Sequence, residues 1–335
     1  MNLHLESRRT STIDAQILSA LRSAGDSVSG ADLAQQLCVS RAAVWARIEE
    51  LRALGYDIAA SPHSGYRLLN APDVLHADDL LSRLGRTRII GRDIRVFQET
   101  TSTNDIIEKL AYDGVKEGVV VFAESQTKGR GRLGRKWVSP ARKGLWFSVL
   151  LRPKLRPQAV TQLTIAAATA LVRGIRSAAG VTLEIKWPND IYLHGKKVAG
   201  ILTEMNGELD TVKYVILGIG VDVNLGANEF PADLRKLATS LKIEVGEALD
   251  RAELAAEILG ELDRDYSRIC SGQFEAVADE FEACCKTIGR DVAITVGDRC
   301  LRGRAESLDA DGALLVRTQH GHLERIIGGD VTVEK

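Results

Sequence analysis

The chain has almost no net charge: 44 Lys+Arg against 45 Asp+Glu leave −1 over 335 residues. That excludes a surface coated in basic residues for non-specific nucleic-acid binding and leaves room only for a local basic site. Long apolar runs are also missing. None approaches the ~18–20 residues that cross a bilayer, and Met1–Thr10 is polar with no signal-peptide core. The expectation is a soluble, cytoplasmic protein with no membrane partner. Five cysteines (Cys38, Cys270, Cys284, Cys285, Cys300) form no C-x-x-C pair and read as reduced, packing residues. The six histidines form no H-E-x-x-H. His320 and His322 flank Gly321 and read as an exposed turn, so no structural metal is expected. There is no internal repeat, no low-complexity segment, and no Ser-His-Asp or Cys-His arrangement. With 45% hydrophobic residues, the length supports about two or three domains with full cores.

The first seventy residues have their own pattern. Thr12 opens an apolar helical spacing at Ile13, Ile17, Leu18 and Leu21, closed by Gly25. Ser29 caps a second helix carrying Leu33, Ala34 and Leu37. After a turn at Val39, Ser40 caps a third, with Val44, Ile48 and Leu51 on one face and Gly55 as its stop. A strand near Tyr56–Ala60, a turn at Pro62–Gly65 and a strand at Tyr66–Leu69 follow. Three short helices and a hairpin describe a winged helix-turn-helix. Asn70–Asp73 reads as a linker. Strand-like runs then occur at Val119–Ala123, Leu145–Leu151, Leu183–Lys186, Val198–Glu204 and Tyr214–Val223, and helix-like runs at Thr103–Tyr112, Val160–Ala178 and Arg251–Cys270. They keep no strict βαβ rhythm, which predicts a mixed sheet. From about Gly289, short alternating runs with turns at Gly297-Asp298 and Asp311-Gly312 predict a small β-barrel.

The densest chemical signal is Lys128-Gly129-Arg130-Gly131-Arg132-Leu133-Gly134-Arg135-Lys136-Trp137. Its glycines satisfy G-x-G-x-x-G, but no helix leaves the motif, and the residues entering it are Glu124-Ser125-Gln126-Thr127, so a dinucleotide fold does not follow. Seven basic residues and no acid lie between Gln126 and Lys143. Glycines admit backbone N–H groups close to an anion, and arginine forks hold carboxylate or phosphate. Beside this stand four smaller signals. In Lys186-Trp187-Pro188-Asn189-Asp190, a lysine suits phosphate and the hard oxygen donors suit Mg²⁺. Lys196-Lys197-Val198-Ala199-Gly200-Ile201-Leu202 places a lysine at a strand entry. Thr101-Ser102-Thr103-Asn104 opens a helix, and Gly218–Asn224 ends a buried strand. Read alone, the third is an N-cap and the first a turn. Together they suit a reaction run by positioning and charge neutralisation, such as joining a carboxylate to ATP.

These segments, in this order and with Ala238-Thr239-Ser240-Leu241, resemble the bifunctional biotin–protein ligase and biotin operon repressor family over nearly the whole chain. The resemblance implies an α+β protein in three parts. Residues 1–70 would be the winged helix-turn-helix, 71–286 a mixed-sheet catalytic domain of the class II synthetase-like biotin ligase fold, and 287–335 an SH3-like β-barrel. It implies that biotin and Mg²⁺-ATP give biotinyl-5′-adenylate and pyrophosphate, and that the biotinyl group passes to a lysine of a biotin carboxyl carrier protein of acetyl-CoA carboxylase. It also implies a homodimer, when adenylate-bound, that represses at biotin operator DNA. Carried over by residue, Ser102, Thr103, Asn104, Gln126, Gly129, Arg130, Arg132, Lys197 and Gly200 would hold biotin. Arg132, Arg135, Trp137, Lys186, Asn189 and Gly220 would hold ATP. Arg132, Lys186, Asp190 and Lys197 would act in catalysis, with Asp190 also the Mg²⁺ ligand.

Two positions depart from the family pattern. Leu133 stands where a further basic residue is common, and Asp222 where the glycine strand often has Asn. An acid beside phosphate is unfavourable unless it points away or helps hold Mg²⁺, so Asp222 is left outside the expected site. On the third helix, Ala42, Trp45 and Ala46 face away from the core and Arg41 stands at the N-terminal end, the expected DNA-reading face. Seven arginines and seven acids in residues 1–70 cancel, which makes one half-site weak and pairing necessary. The competing readings are a lipoate or octanoate ligase and a ligand-sensing transcription factor without ligase activity.

Overall fold

The computed structural model describes residues 12–61 and 64–333. In chain order the elements begin with α1 (Ile13–Ser23), α2 (Gly30–Gln36), α3 (Arg41–Ala53), β1 (Asp57–Ser61) and β2 (Gly65–Asn70). The three helix starts follow from their caps. Thr12, Ser29 and Ser40 each accept the N–H three residues on, from Ala15, Asp32 and Ala43 at 3.2, 3.0 and 3.1 Å. Ile17, Leu18, Leu21, Leu33, Val44, Ile48, Leu51, Tyr56 and Ile58 bury into one small core, so this unit has an interior of its own. The strands β1 and β2 pair antiparallel as the wing; in the expected turn at Pro62–Gly65, Pro62 and His63 lie outside the described residues.

Next come α4 (Ala77–Leu84), β3 (Asp93–Thr100), α5 (Thr103–Tyr112), β4 (Val119–Gln126), β5 (Gly144–Leu151), α6 (Thr161–Ala179), β6 (Glu184–Lys186), β7 (Asp190–Leu193), β8 (Lys196–Gly207) and β9 (Val212–Asp222). Three helices follow: α7 (Leu241–Val245), α8 (Arg251–Cys270) and α9 (Phe274–Cys284). The strands form one sheet, ordered β3-β4-β5-β9-β8-β7-β6. Only β3–β4 is parallel and the other pairs are antiparallel, the mixed sheet that the irregular alternation predicts. Helix α6 is buried along most of its length and packs with α8 in the main core, while Ile107 and Ala111 of α5 close a second cluster with Val119, Val121 and Leu150.

The sequence reading omits α4, β3, β7 and α7, and places no run at β13 or β14. Asp78 and Asp79 make α4 look like a loop, yet Asp79 is buried by its partners. Asp190, read as the end of a turn, is the first residue of β7. The basic motif does leave a buried strand, β4, but enters a short turn and then β5, so the missing helix alone rules out a dinucleotide fold.

The C-terminal part is β10 (Asp291–Val296), β11 (Arg299–Leu308), β12 (Leu314–Thr318), β13 (Leu323–Ile326) and β14 (Asp330–Val333), all antiparallel in the order β13-β12-β11-β10-β14. β13 and β14 do not pair with each other, so this sheet is not closed by hydrogen bonds as a full barrel would be. His320 and His322 are exposed between β12 and β13. Among the described residues no helix is long and apolar enough to cross a membrane.

Candidate active site

The ends of β4, β8 and β9, the 126–139 loop, the 186–190 turn and the 329–332 segment converge on a cavity of about 780 Å³. Its wall includes Ser102, Thr103, Asn104, Gln126, Arg130, Arg132, Arg135, Trp137, Lys186, Asn189, Asp190, Lys197, Gly200 and Gly220. Every expected ligand or catalytic residue outside the winged helix is therefore brought together, with one exception. Gly129 is buried off the wall. A Cβ there would meet the Trp137 carbonyl at 2.5 Å, so the turn itself requires a glycine at this position.

One end of the cavity is a polar pocket built around the start of α5. The N–H of Thr103 donates to Gln126 Oε1 at 2.9 Å, and Gln126 Nε2 donates to Ser139 at 2.9 Å. Ser102 stands at the N-cap of this helix, as read, but its side chain makes no cap bond; Gln126 takes the first helical N–H in its place. The hydroxyls of Thr103 and Ser148 lie 2.6 Å apart, and Asn104 Nδ2 donates to Glu204 at 2.7 Å. Arg130 lies on the same wall with two carboxylates against it. It pairs with Asp105 at 2.5 Å and with Glu204 at 3.1 Å, so its charge is already answered by two carboxylates. Other cations on this wall have no carboxylate partner among the described residues.

They include Arg132 and Lys186, with Lys136 and Lys236 also on the wall. Arg132 donates to the neutral Asn189 Oδ1 at 3.0 Å. Burial draws its pKa down, opposed by the charges of Asp190 and Asp330, but a guanidinium remains charged throughout the working range. Asn189 is held in turn by donating to the Ile201 carbonyl at 2.7 Å. Lys186 lies 5.9 Å from the ring centre of Tyr192. Lys197 donates to Asp190 Oδ1 at 2.5 Å and lies 5.2 Å from the Trp137 ring centre. Arg135 reaches across to Asp330 at 2.5 Å, so the C-terminal sheet helps hold the basic loop.

The opposite end is flat and apolar. Gly200 pairs with Gly220 across β8 and β9, and Trp137 lies over both. A Cβ on Gly220 would meet the indole at 2.6 Å, so this pair of glycines is what lets the ring lie on the sheet. Trp137, Trp146, Leu225, Phe230 and Ala238 form one cluster, and the buried Trp137 Nε1 has no partner among the described residues.

Asp222, left outside the expected site, lines the cavity. It is buried, and burial pushes its carboxyl well above the usual carboxylate range, with Lys197 pulling the other way. An acid whose folded pKa is raised binds more protons folded than unfolded, so stability falls as pH rises above the unfolded value. Asp222→Asn removes that dependence. Its melting temperature relative to wild type should rise between pH 5 and pH 8 in ligand-free melts; an equal gap at both pH values would contradict the assignment.

A cavity with one polar pocket, one flat apolar pocket and free cations between them defines a class: an enzyme that handles a two-part anionic ligand, carried behind a winged helix. The comparisons are specific. The Biotin/lipoate A/B protein ligase family matches residues 96–222, an HTH domain matches 14–67, and the Biotin protein ligase C terminal domain matches 287–333. The bifunctional ligase/repressor BirA of Bacillus subtilis (strain 168) is 38% identical over 96% of this chain and 98% of its own. That of Escherichia coli (strain K12) is 30% identical over 94% and 96%. The solved biotin protein ligase from Aquifex aeolicus in complex with biotin and ATP superposes with a TM-score of 0.61 at 29% identity, covering 72% of this chain and 98% of that one. The chain belongs to the bifunctional ligase/repressor family of biotin protein ligases.

Proposed function

We propose that the chain joins biotin to ATP, passes the biotinyl group to a carrier-protein lysine, and in the adenylate-bound state represses transcription as a DNA-bound dimer. Full-length kinship with the ligase/repressors, winged helix included, carries this reading. The cavity supports the division of labour. The polar pocket of Ser102, Thr103, Asn104 and Gln126 takes the biotin head group. The Trp137 face takes the adenine by stacking. Between them the biotin carboxylate attacks the α-phosphate and pyrophosphate leaves. Arg132, Lys186 and Lys197 offset the charge gathered there. In the second step the acceptor amine attacks the biotinyl carbonyl, AMP leaves, and Asp190 takes the amine proton.

Mg²⁺ enters as part of the nucleotide substrate. Among the described residues no three His, Cys, Asp or Glu side chains form a metal cage, whereas Asp190 on the wall is the kind of single carboxylate to which a largely hydrated, phosphate-bound Mg²⁺ adds. Arg41, Ala42, Trp45 and Ala46 are all exposed on α3, as a groove-reading face must be.

The deciding experiment incubates the protein with biotin, lipoate or octanoate, Mg²⁺-ATP and a carrier domain. Mass spectrometry should find one biotinyl addition and pyrophosphate. Addition of lipoyl or octanoyl instead, or none, would overturn the reading. A related result is expected for Arg132→Gly. Losing one charge-assisted hydrogen bond weakens retention of the adenylate by about 10- to 100-fold, from the ~1.5–3 kcal/mol of such a bond. Leaked adenylate should then label a bystander protein, scored by a biotin blot; labelling no greater than wild type rejects the role.

A further inference from the structure

Among the described residues of the winged helix the arginines are nearly all paired. Among the described residues, Arg22 pairs with Asp79, Arg47 with Asp14 and Glu50, Arg52 with Glu49 and Arg67 with Asp26. Arg41 alone carries no ion pair. With one uncommitted arginine among its described residues and no net charge over residues 1–70, this module has little with which to neutralise a DNA backbone, because affinity for a duplex rests largely on displaced counterions at phosphates.

Uncommitted arginines lie close by, on the catalytic side of the domain junction. Residues 85–92 read Gly-Arg-Thr-Arg-Ile-Ile-Gly-Arg. Arg86, Arg88 and Arg92 are exposed, and none of the three guanidinium groups has a hydrogen-bond or ion-pair partner among the described residues. The backbone beneath them is held firmly. The buried Asp263 carboxylate accepts the N–H groups of Arg88, Ile89 and Ile90 at 2.7, 2.8 and 2.8 Å, and Gly91 donates to the Gly118 carbonyl at 2.9 Å. Three unpaired cations thus stand on a segment whose backbone cannot easily rearrange.

Arg86 and Arg92 line one wall of a cleft of about 820 Å³ whose other wall is α1, Val28 and Gln36. Gln36 ends α2, just before the turn that delivers Arg41 to the start of α3. The winged helix is also fastened in place across this junction. Arg22 of α1 bonds both Asp79 and Ser82 of α4, and Thr12 bonds Asp78. Helix α4 leads directly into the 85–92 segment, so the arginines keep a set position relative to the helix-turn-helix.

We propose that Arg86, Arg88 and Arg92 form a second DNA-binding surface, in which the catalytic domain holds backbone phosphates flanking the half-site read by α3. This rests on the repressor half of the proposed function. It assigns to this loop the phosphate neutralisation that the charge-balanced winged helix lacks. Sequence selection stays with α3, because phosphate contacts position a protein without reading bases.

The test uses the full chain with biotin and Mg²⁺-ATP, and a fluorescent duplex of the region upstream of its biotin-synthesis genes. Affinity is measured from 50 to 300 mM KCl for wild type and for Arg86→Gln/Arg88→Gln/Arg92→Gln. The slope of log K against log salt should shrink by roughly 0.9 for each phosphate left without its arginine, up to about 2.7 per protomer, with a matching fall in affinity on a scrambled duplex. The rate of adenylate formation and the melting temperature should be unchanged, since these side chains are exposed, unpartnered and off the active-site wall. A variant slope equal to the wild-type slope overturns the proposal. So does an unchanged slope accompanied by a raised KM for the carrier protein, which would assign the patch to an acidic acceptor surface instead. If wild type itself shows no adenylate-dependent binding, the repressor reading fails, and this inference with it.

Discussion

Lys197→Ala should slow adenylate formation by about 100- to 1000-fold, the cost of removing one preorganised charge from a transition state. The ammonium is the group at which three features of the cavity meet. It donates to Asp190, lies over the Trp137 ring and is the charge that opposes the burial of Asp222. Its position comes from the backbone: the Lys197 N–H donates to the Leu237 carbonyl, and the Thr239 N–H donates to the Lys197 carbonyl, both at 2.9 Å. Stability should change little, because Lys197 is 29% exposed on its side chain and such a pair is worth ~1 kcal/mol or less. Rapid-quench measurement of the first turnover separates this from a binding defect. A rate within threefold of wild type would remove Lys197 from the mechanism.

The largest loss of stability is expected off the cavity wall, at Arg251. This first residue of α8 is 1% exposed and bonds Glu124 at 2.7 Å, the Asp73 carboxylate at 2.8 Å, the Asp73 carbonyl at 3.1 Å and the Gly144 carbonyl at 3.2 Å. Glu124 is itself 1% exposed and also accepts the Leu75 N–H at 2.7 Å. Arg251→Met strands a buried carboxylate, which costs about 3–5 kcal/mol. For a domain of this size that should lower the melting temperature by roughly 10 °C. Adding Glu124→Gln should recover part of it, because the stranded charge is then gone. A single variant as stable as wild type, or a double variant no better than the single, would show that the pair does not carry this load.

The legible parts of the site are those whose residues are close in sequence. The run from Lys128 to Trp137 concentrates glycine and cations in one loop, and the tract from Lys186 to Asp190 places its polar groups beside one strand end, so both announce an anion. Ser148, Glu204, Asp105 and Asp330 announce nothing. Ser148 is one hydroxyl inside the otherwise apolar Leu145–Leu151 run, and its meaning comes from Thr103, which lies on another element. Asp330 is remote in sequence from the arginine it holds. Asp222 is visible as a departure, but whether it faces the cavity depends on the pairing of β5 with β9, which sets Gly144 opposite it.

The winged helix shows what sequence alone decides. Its cap residues, apolar spacing and glycine stops determine the three helices and the buried face of each, because these are interactions over three or four residues. Composition likewise determines that one loop is rich in positive charge. Only the tertiary structure decides which charges remain uncommitted. Arg130 and Arg132 are two residues apart in one motif, yet the fold sets Asp105 and Glu204 against the first and a neutral asparagine against the second. Ion pairing depends on distances between atoms, and those distances are set by sheet order and register among segments that the chain itself keeps far apart.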